Sequence, residues 1–213
     1  MSEEKKRFAD IHKYLQKKYA IISTGPKDRI YPDIFKFHEL TLENEGHFQL
    51  LLPELTKTIY RNFEFKEIGI GLLDPTINKL RYMEFLGLTE EARKNLRKCE
   101  YTQQEFIDDN LHPGVWISPL SKFFISGEAE YSDWEKHCFN RPYLFSGARE
   151  NIEDDREGDY IDVFIFGKNR KGLGWFELSN TKTGKIASPE SIRWIELIAM
   201  MIAPIIQSEI ERD

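Results

Sequence analysis

The closing stretch of the chain constrains its fold most. Tyr160 to Phe166 is a run of β-branched and aromatic residues, Gly167 to Gly174 turns it, and Trp175 to Ser179 returns. Two β-favouring runs joined by a glycine-bearing loop predict an antiparallel hairpin. Ser188 and Pro189 then supply an N-cap and a first-turn proline for an apolar helix from Pro189 to about Glu211. Side chains alternate along a strand, so Phe176 and Leu178 share one face while Trp175, Glu177 and Ser179 share the other. The wholly apolar pair belongs against the helices. By the same logic Val163 and Ile165 face the helices, and Asp162, Phe164 and Phe166 face away.

Upstream, Phe8, Ile11, Leu15 and Ile22 recur at helical spacing, which predicts an amphipathic helix over Glu3 to Tyr19. Its lysines (Lys5, Lys6, Lys13, Lys17, Lys18) read as a solvated face. Thr24 to Asp28 breaks that helix, and Tyr31 to Phe37 reads as a short helix or an ordered connector. A second helix is expected over roughly Leu42 to Asn62, with Phe48, Leu51, Leu55, Ile59 and Phe63 on one stripe. Pro53 makes it restart or kink.

Phe65 to Leu73 and Leu80 to Leu86 read as a strand hairpin about Asp74-Pro75. Gly69 and Gly71 share a face of the first strand, the mark either of close approach by a ligand or backbone, or of a bulge or tight packing. Thr102–Glu105 and Ser132–Glu135 have capping-box spacing. Val115 to Ile117 and Phe123 to Ile125 are short strand candidates. Asn151 to Asp159 lacks the ligand periodicity of a calcium loop and reads as a solvated acidic connector.

Several function classes are disfavoured. Hydrophobic residues make up 40% and charged residues 31% of 213, enough for a packed core. Thirty basic against thirty-six acidic residues give a net charge of −6, which argues against a nucleic-acid surface. Cys99 and Cys138 are the only cysteines and no secretory signal precedes them, so a reducing cytoplasm is the default. The apolar run Leu197 to Ile206 is about half of the ~20 residues a spanning helix needs. The chain therefore reads as soluble, whether standing alone or excised from a longer receptor. No nucleophilic triad or phosphate-cradling loop is found. His112 and His137 have no second ligand at helix-turn spacing, so no metal and no cofactor are expected.

The last helix carries two adjacent apolar stripes. Ile192, Ile195, Ala199, Ile202 and Ile206 form one, and Ile198, Met201 and Ile205 the other. So wide an arc predicts two partners, the sheet and a second helix. Pro204 should bend the helix.

In order, the elements are helix, strand hairpin, irregular helical middle, strand hairpin, long helix. This arrangement resembles a GAF domain, the small-molecule-sensing fold of signalling proteins. Asp162 to Phe166, Gly172 to Ser179 and Ser188 to Ile192 carry the resemblance. It implies an α+β, profilin-like fold: a central antiparallel sheet, terminal helices on one face and a helical, irregular lid on the other. The GAF-like domain would occupy residues 41–213 and a helical extension residues 1–40.

A pocket between sheet and lid would be lined by Trp116, Phe123, Tyr131, Trp134, Phe139 and Tyr143, with Trp175. Asp162 and Glu177 would anchor a ligand amine or hydroxyl. Pairing with a second protomer would use Phe8, Ile11, Leu15, Ile195, Ile198, Ile202 and Ile205. Two alternatives stand beside this sensory, non-catalytic reading. One is an enzyme like the free methionine sulfoxide reductases, which use a cysteine just before the closing strand; Arg149 to Asp159 contains none. The other is a ligand-free dimerisation scaffold.

Overall fold

The computed structural model describes Lys13 and residues 30–44, 47–127, 131–145 and 149–212. The expected helix over Glu3 to Tyr19, with Phe8, Ile11 and Leu15, falls outside these residues except for Lys13.

A seven-stranded antiparallel sheet forms the centre, in the order β3-β2-β1-β7-β6-β5-β4. Its long strands are β1 (Phe65–Asp74), β2 (Lys79–Leu86), β6 (Tyr160–Phe166) and β7 (Gly172–Thr181). Short edge strands β3 (Glu100–Tyr101), β4 (Val115–Trp116) and β5 (Ser121–Phe124) extend it on both sides. Both expected hairpins form, and β7 pairs with β1 to join them.

Period-two alternation sorts the central strands between two cores. Ile68, Ile70, Val163, Ile165, Phe176 and Leu178 face the helices. Tyr82, Phe164 and Trp175 belong to a second cluster on the opposite face. On the first face lie α1 (Ile30–Glu43), a 3-10 turn (Phe48–Leu51), α2 (Leu52–Asn62) and the long α6 (Pro189–Ile210). Pro53 sits in the first turn of α2, where a missing N–H costs nothing, so the helix restarts there. Residue 40, the expected end of the helical extension, lies inside α1, whose Ile30 and Phe37 belong to the core.

Ser188 caps α6 by accepting from Ser191 N. Among the described residues α6 is the one helix long and apolar enough to cross a membrane. Its Ile192, Ile195, Ile198, Ile202 and Ile206 are buried in the core. Ile195, Ile198 and Ile202, three of the residues expected to pair with a second protomer, lie in the chain's own core. Ile205 is half-buried, and the exposed stripe is Leu197, Met200 and Met201.

The opposite face carries α3 (Glu90–Leu96), α4 (Gln103–Phe106), α5 (Asp133–Lys136) and a 3-10 turn (Pro142–Leu144). Both capping boxes are made, at Thr102–Glu105 and Ser132–Glu135. A side-chain amide fastens α4 to the sheet: Gln103 Nε2 donates to Gly172 O at 2.7 Å and Gln103 Oε1 accepts from Gly172 N at 2.8 Å.

The acidic stretch before β6 is not a solvated connector. Asp159 is fully buried, binding Arg149 Nη2 at 2.7 Å and accepting from Ser126 N at 2.8 Å and Arg156 N at 3.0 Å. Glu157 accepts from Arg141 N at 2.7 Å and Arg141 Nε at 2.8 Å. These carboxylates pin the loop by satisfying backbone donors that burial would otherwise orphan.

Candidate functional site

The sheet face beneath the lid holds the chemistry. Asp162 and Glu177 are register partners on β6 and β7, and Lys122 on β5 stands opposite Asp162. Alternation therefore puts Lys122, Asp162 and Glu177 in one row across three strands. Around the row stand Tyr82, Phe106, Trp116, Phe124, Phe164 and Trp175, enclosing a chamber of about 40 Å³. Such a volume holds a few waters at most.

The row is starved of solvent. Burial pushes the Asp162 carboxyl well above the ordinary range, the Glu177 charge adds to the rise, and Lys122 opposes it. Asp162 Oδ1 has no hydrogen-bond partner among the described residues. Burial likewise raises Glu177, to about 7, against a short hydrogen bond from Tyr82 Oη. Lys122 is buried with its ammonium committed elsewhere. It pairs with Asp109 and donates to His112 O at 2.6 Å, between the rings of Trp116 and Phe124 at 5.5 and 5.2 Å. Trp116 Nε1 also donates to Asp109, at 3.1 Å. The chamber thus holds two carboxylates and no uncommitted cation.

The two glycines of β1 make room for the rings. Gly71 is the register partner of Trp175, and a Cβ there would lie 1.9 Å from Trp175 Cζ3. A bulge also falls between Ile70 and Gly71. Close approach and irregular register thus occur together.

An outer vestibule of about 340 Å³ adjoins the chamber and shares Tyr82, Tyr101, His112, Tyr160 and Glu177 with it. Tyr131, Trp134, Phe139, Cys99 and Cys138 also line it, with Leu96, Lys98, Glu100 and Glu135. The nine expected residues therefore divide. Trp116, Asp162, Trp175 and Glu177 line the chamber, and Tyr131, Trp134, Phe139 and Glu177 line the vestibule. Phe123 and Tyr143 line neither. Phe123 pairs with Ile161 on the helix-facing side, and Tyr143 is 75% exposed. Lys122, Tyr82, Tyr101 and Phe124 went unforeseen, although a lone lysine in the apolar run Ser121 to Ile125 was a visible signal.

Hollows also flank Pro204 of α6, but they present no comparable convergence of buried ionisable groups. Among the described residues no cluster of three or more His, Cys, Asp and Glu side chains is placed to hold a metal.

Solved structures with this arrangement of sheet, helices and lid include the GAF domain/HD domain protein of Geobacter sulfurreducens. It matches at a TM-score of 0.55 and 9% identity, over 79% of this chain and 97% of that one. The fold is that of a GAF domain. The GAF domain of an Acinetobacter phosphoenolpyruvate-protein phosphotransferase matches at a TM-score of 0.50 and 13% identity, over 85% of this chain and 92% of that one. fRMsr of Staphylococcus aureus, in complex with its substrate, shares only the outline: TM-score 0.47, 14% identity, 83% and 95% coverage. No family model and no curated protein sequence matches the chain. In GAF terms, the chamber and vestibule lie between the sheet and the lid.

Proposed function

We propose that this chain is a non-catalytic sensory domain that binds a compact molecule bearing an amine, or failing that a hydroxyl, between sheet and lid. The observation that carries the reading is Asp162, a buried carboxylate with an orphaned oxygen, beside Glu177 in an aromatic chamber. Buried polar atoms in folded proteins are nearly always satisfied, so an orphan aimed into a chamber marks a missing partner. An ammonium supplies charge and donors together, and aromatic faces stabilise it further. The body of the ligand would rest in the vestibule and its head would reach the chamber. Signalling or regulatory use in the cytoplasm, through a homodimer, completes the proposal.

The test is a thermal-shift panel of small amines, alcohols and carboxylates. A ligand at a hundred times its Kd should raise stability by about 2.7 kcal/mol. An amine should stabilise the wild type and lose that effect in Asp162→Asn. Silence across the panel, or binding indifferent to Asp162→Asn, would overturn the proposal and leave the scaffold reading.

One observation favours the enzyme alternative: two thiols line the vestibule beside Glu177. Thiol-dependent reduction of free methionine sulfoxide by purified protein, lost in Cys138→Ser, would replace the sensory reading.

A further inference from the structure

Cys99 and Cys138 carry none of the polar recognition proposed above, although they line the vestibule. Cys99 follows α3 and leads into β3, whereas Cys138 follows α5 in the lid. Both are free thiols, Cys99 half-buried and Cys138 buried. Both line the vestibule and pack on the aromatic cluster beneath the lid. Each lies close enough to shift the other's ionisation, and Cys99 Sγ donates to Asn95 O at 3.8 Å.

Bonds that do not involve sulfur hold the two segments together. Asn95 Nδ2 donates to His137 O at 3.1 Å, and Thr89 N donates to Asn140 Oδ1 at 2.7 Å. The thiols are therefore juxtaposed by the fold. They also differ in character. The Cys138 thiol, as hydrogen-bond partner, holds Cys99 below the ordinary thiol range against the effect of burial. Cys138 is pushed up, first by the same contact and then by burial. Cys99 is thus the more exposed of the two and the first to become a thiolate, the combination that sets thiol reactivity.

We propose that Cys99 and Cys138 form a peroxide-responsive pair that closes to a disulfide and staples the lid segment around α5 to the α3–β3 corner. The Cys99 thiolate attacks one oxygen of a hydroperoxide. The O–O bond breaks, the departing oxygen takes a proton and leaves as water or alcohol, and Cys99 becomes a sulfenic acid. Cys138 then gives up its proton and attacks the sulfenic sulfur. The S–O bond breaks, and the oxygen leaves with that proton as water. Two thiols lose two electrons and two protons, and the peroxide gains both. An external thiol reverses the step by exchange through a mixed disulfide. A resolving thiol held alongside diverts Cys99 from irreversible over-oxidation. Because both sulfurs line the vestibule, the closed form fixes its wall.

The experiment treats the reduced full chain with stoichiometric hydrogen peroxide, followed by intact mass and peptide mapping. The expected product has lost the mass of two hydrogens, carries a Cys99–Cys138 linked peptide, and reverts with dithiothreitol. In Cys138→Ser, Cys99 should be trapped by dimedone as a sulfenic acid. Because that variant removes a buried group, hydrogen exchange of the wild type gives a second readout, with amides of residues 132–139 exchanging more slowly after oxidation. Two alkylatable thiols after treatment would overturn the proposal. So would over-oxidation of Cys99 without a link, a link only between chains, or unchanged exchange in the lid.

Discussion

Asp162 and Glu177 face each other across neighbouring strands, so two carboxylates compete for one poorly solvated volume. Glu177 rises from an ordinary value of 4.5 to about 7. Below 4.5 the folded and unfolded chains are both protonated there. Between 4.5 and about 7 the unfolded chain releases its proton while the folded one keeps it, so stability falls as pH rises, and the loss is complete above about 7. Glu177→Gln, which can still accept from Tyr82, should flatten that slope. The gain over wild type at the alkaline end should be on the order of 1–3 kcal/mol by urea denaturation; parallel pH profiles would refute it. Gly71 makes a second residue-scale prediction. A methyl group there meets the Trp175 ring, which must move, so Gly71→Ala should lose roughly 1–3 kcal/mol in the same assay. An unchanged midpoint would mean the ring does not rest on Gly71.

At the scale of elements, the long hairpins were legible because period-two alternation runs unbroken through Tyr160 to Phe166 and Trp175 to Ser179. The helix-facing placement of Phe123 was not legible, for the opposite reason. β5 is too short to declare its own register, which comes from pairing with β6, and a one-residue slip exchanges the faces. The stretch Asn151 to Asp159 reads as a connector because a run of acids looks solvated until its partners are known. Those partners, Arg141 and Ser126 among them, arrive only with the tertiary fold. Asp159→Asn should therefore destabilise by on the order of 2 kcal/mol, since it uncouples Arg149 from a buried acceptor. Thermal unfolding checks this, and a neutral outcome would restore the connector reading. The lid was legible at its two capping boxes and no further, because its attachment through Gln103, Asp109 and Lys122 depends on contacts distant in sequence.

For the whole molecule, the wide apolar arc of α6 divides into a buried stripe on the sheet, which Ile198 joins, and an exposed one. With Ile195, Ile198 and Ile202 in the core, Leu197, Met200 and Met201 remain for a second protomer. If that face pairs, Met201→Glu should shift sedimentation from dimer towards monomer while leaving the unfolding midpoint of the monomer within about 0.5 kcal/mol of equivalence. A wild type that sediments as a monomer at all concentrations would rule the pairing out. The raised carboxyls carry one more consequence, for heat. An ammonium entering near pH 6 would meet a Glu177 that still carries its proton, and would have to expel it into the buffer. Calorimetric binding enthalpies should then differ between buffers of low and high ionisation enthalpy, and Glu177's share of the difference, read as the part lost in Glu177→Gln, should vanish above about pH 8. The chamber is in that sense a store of protons, released by the molecule it receives.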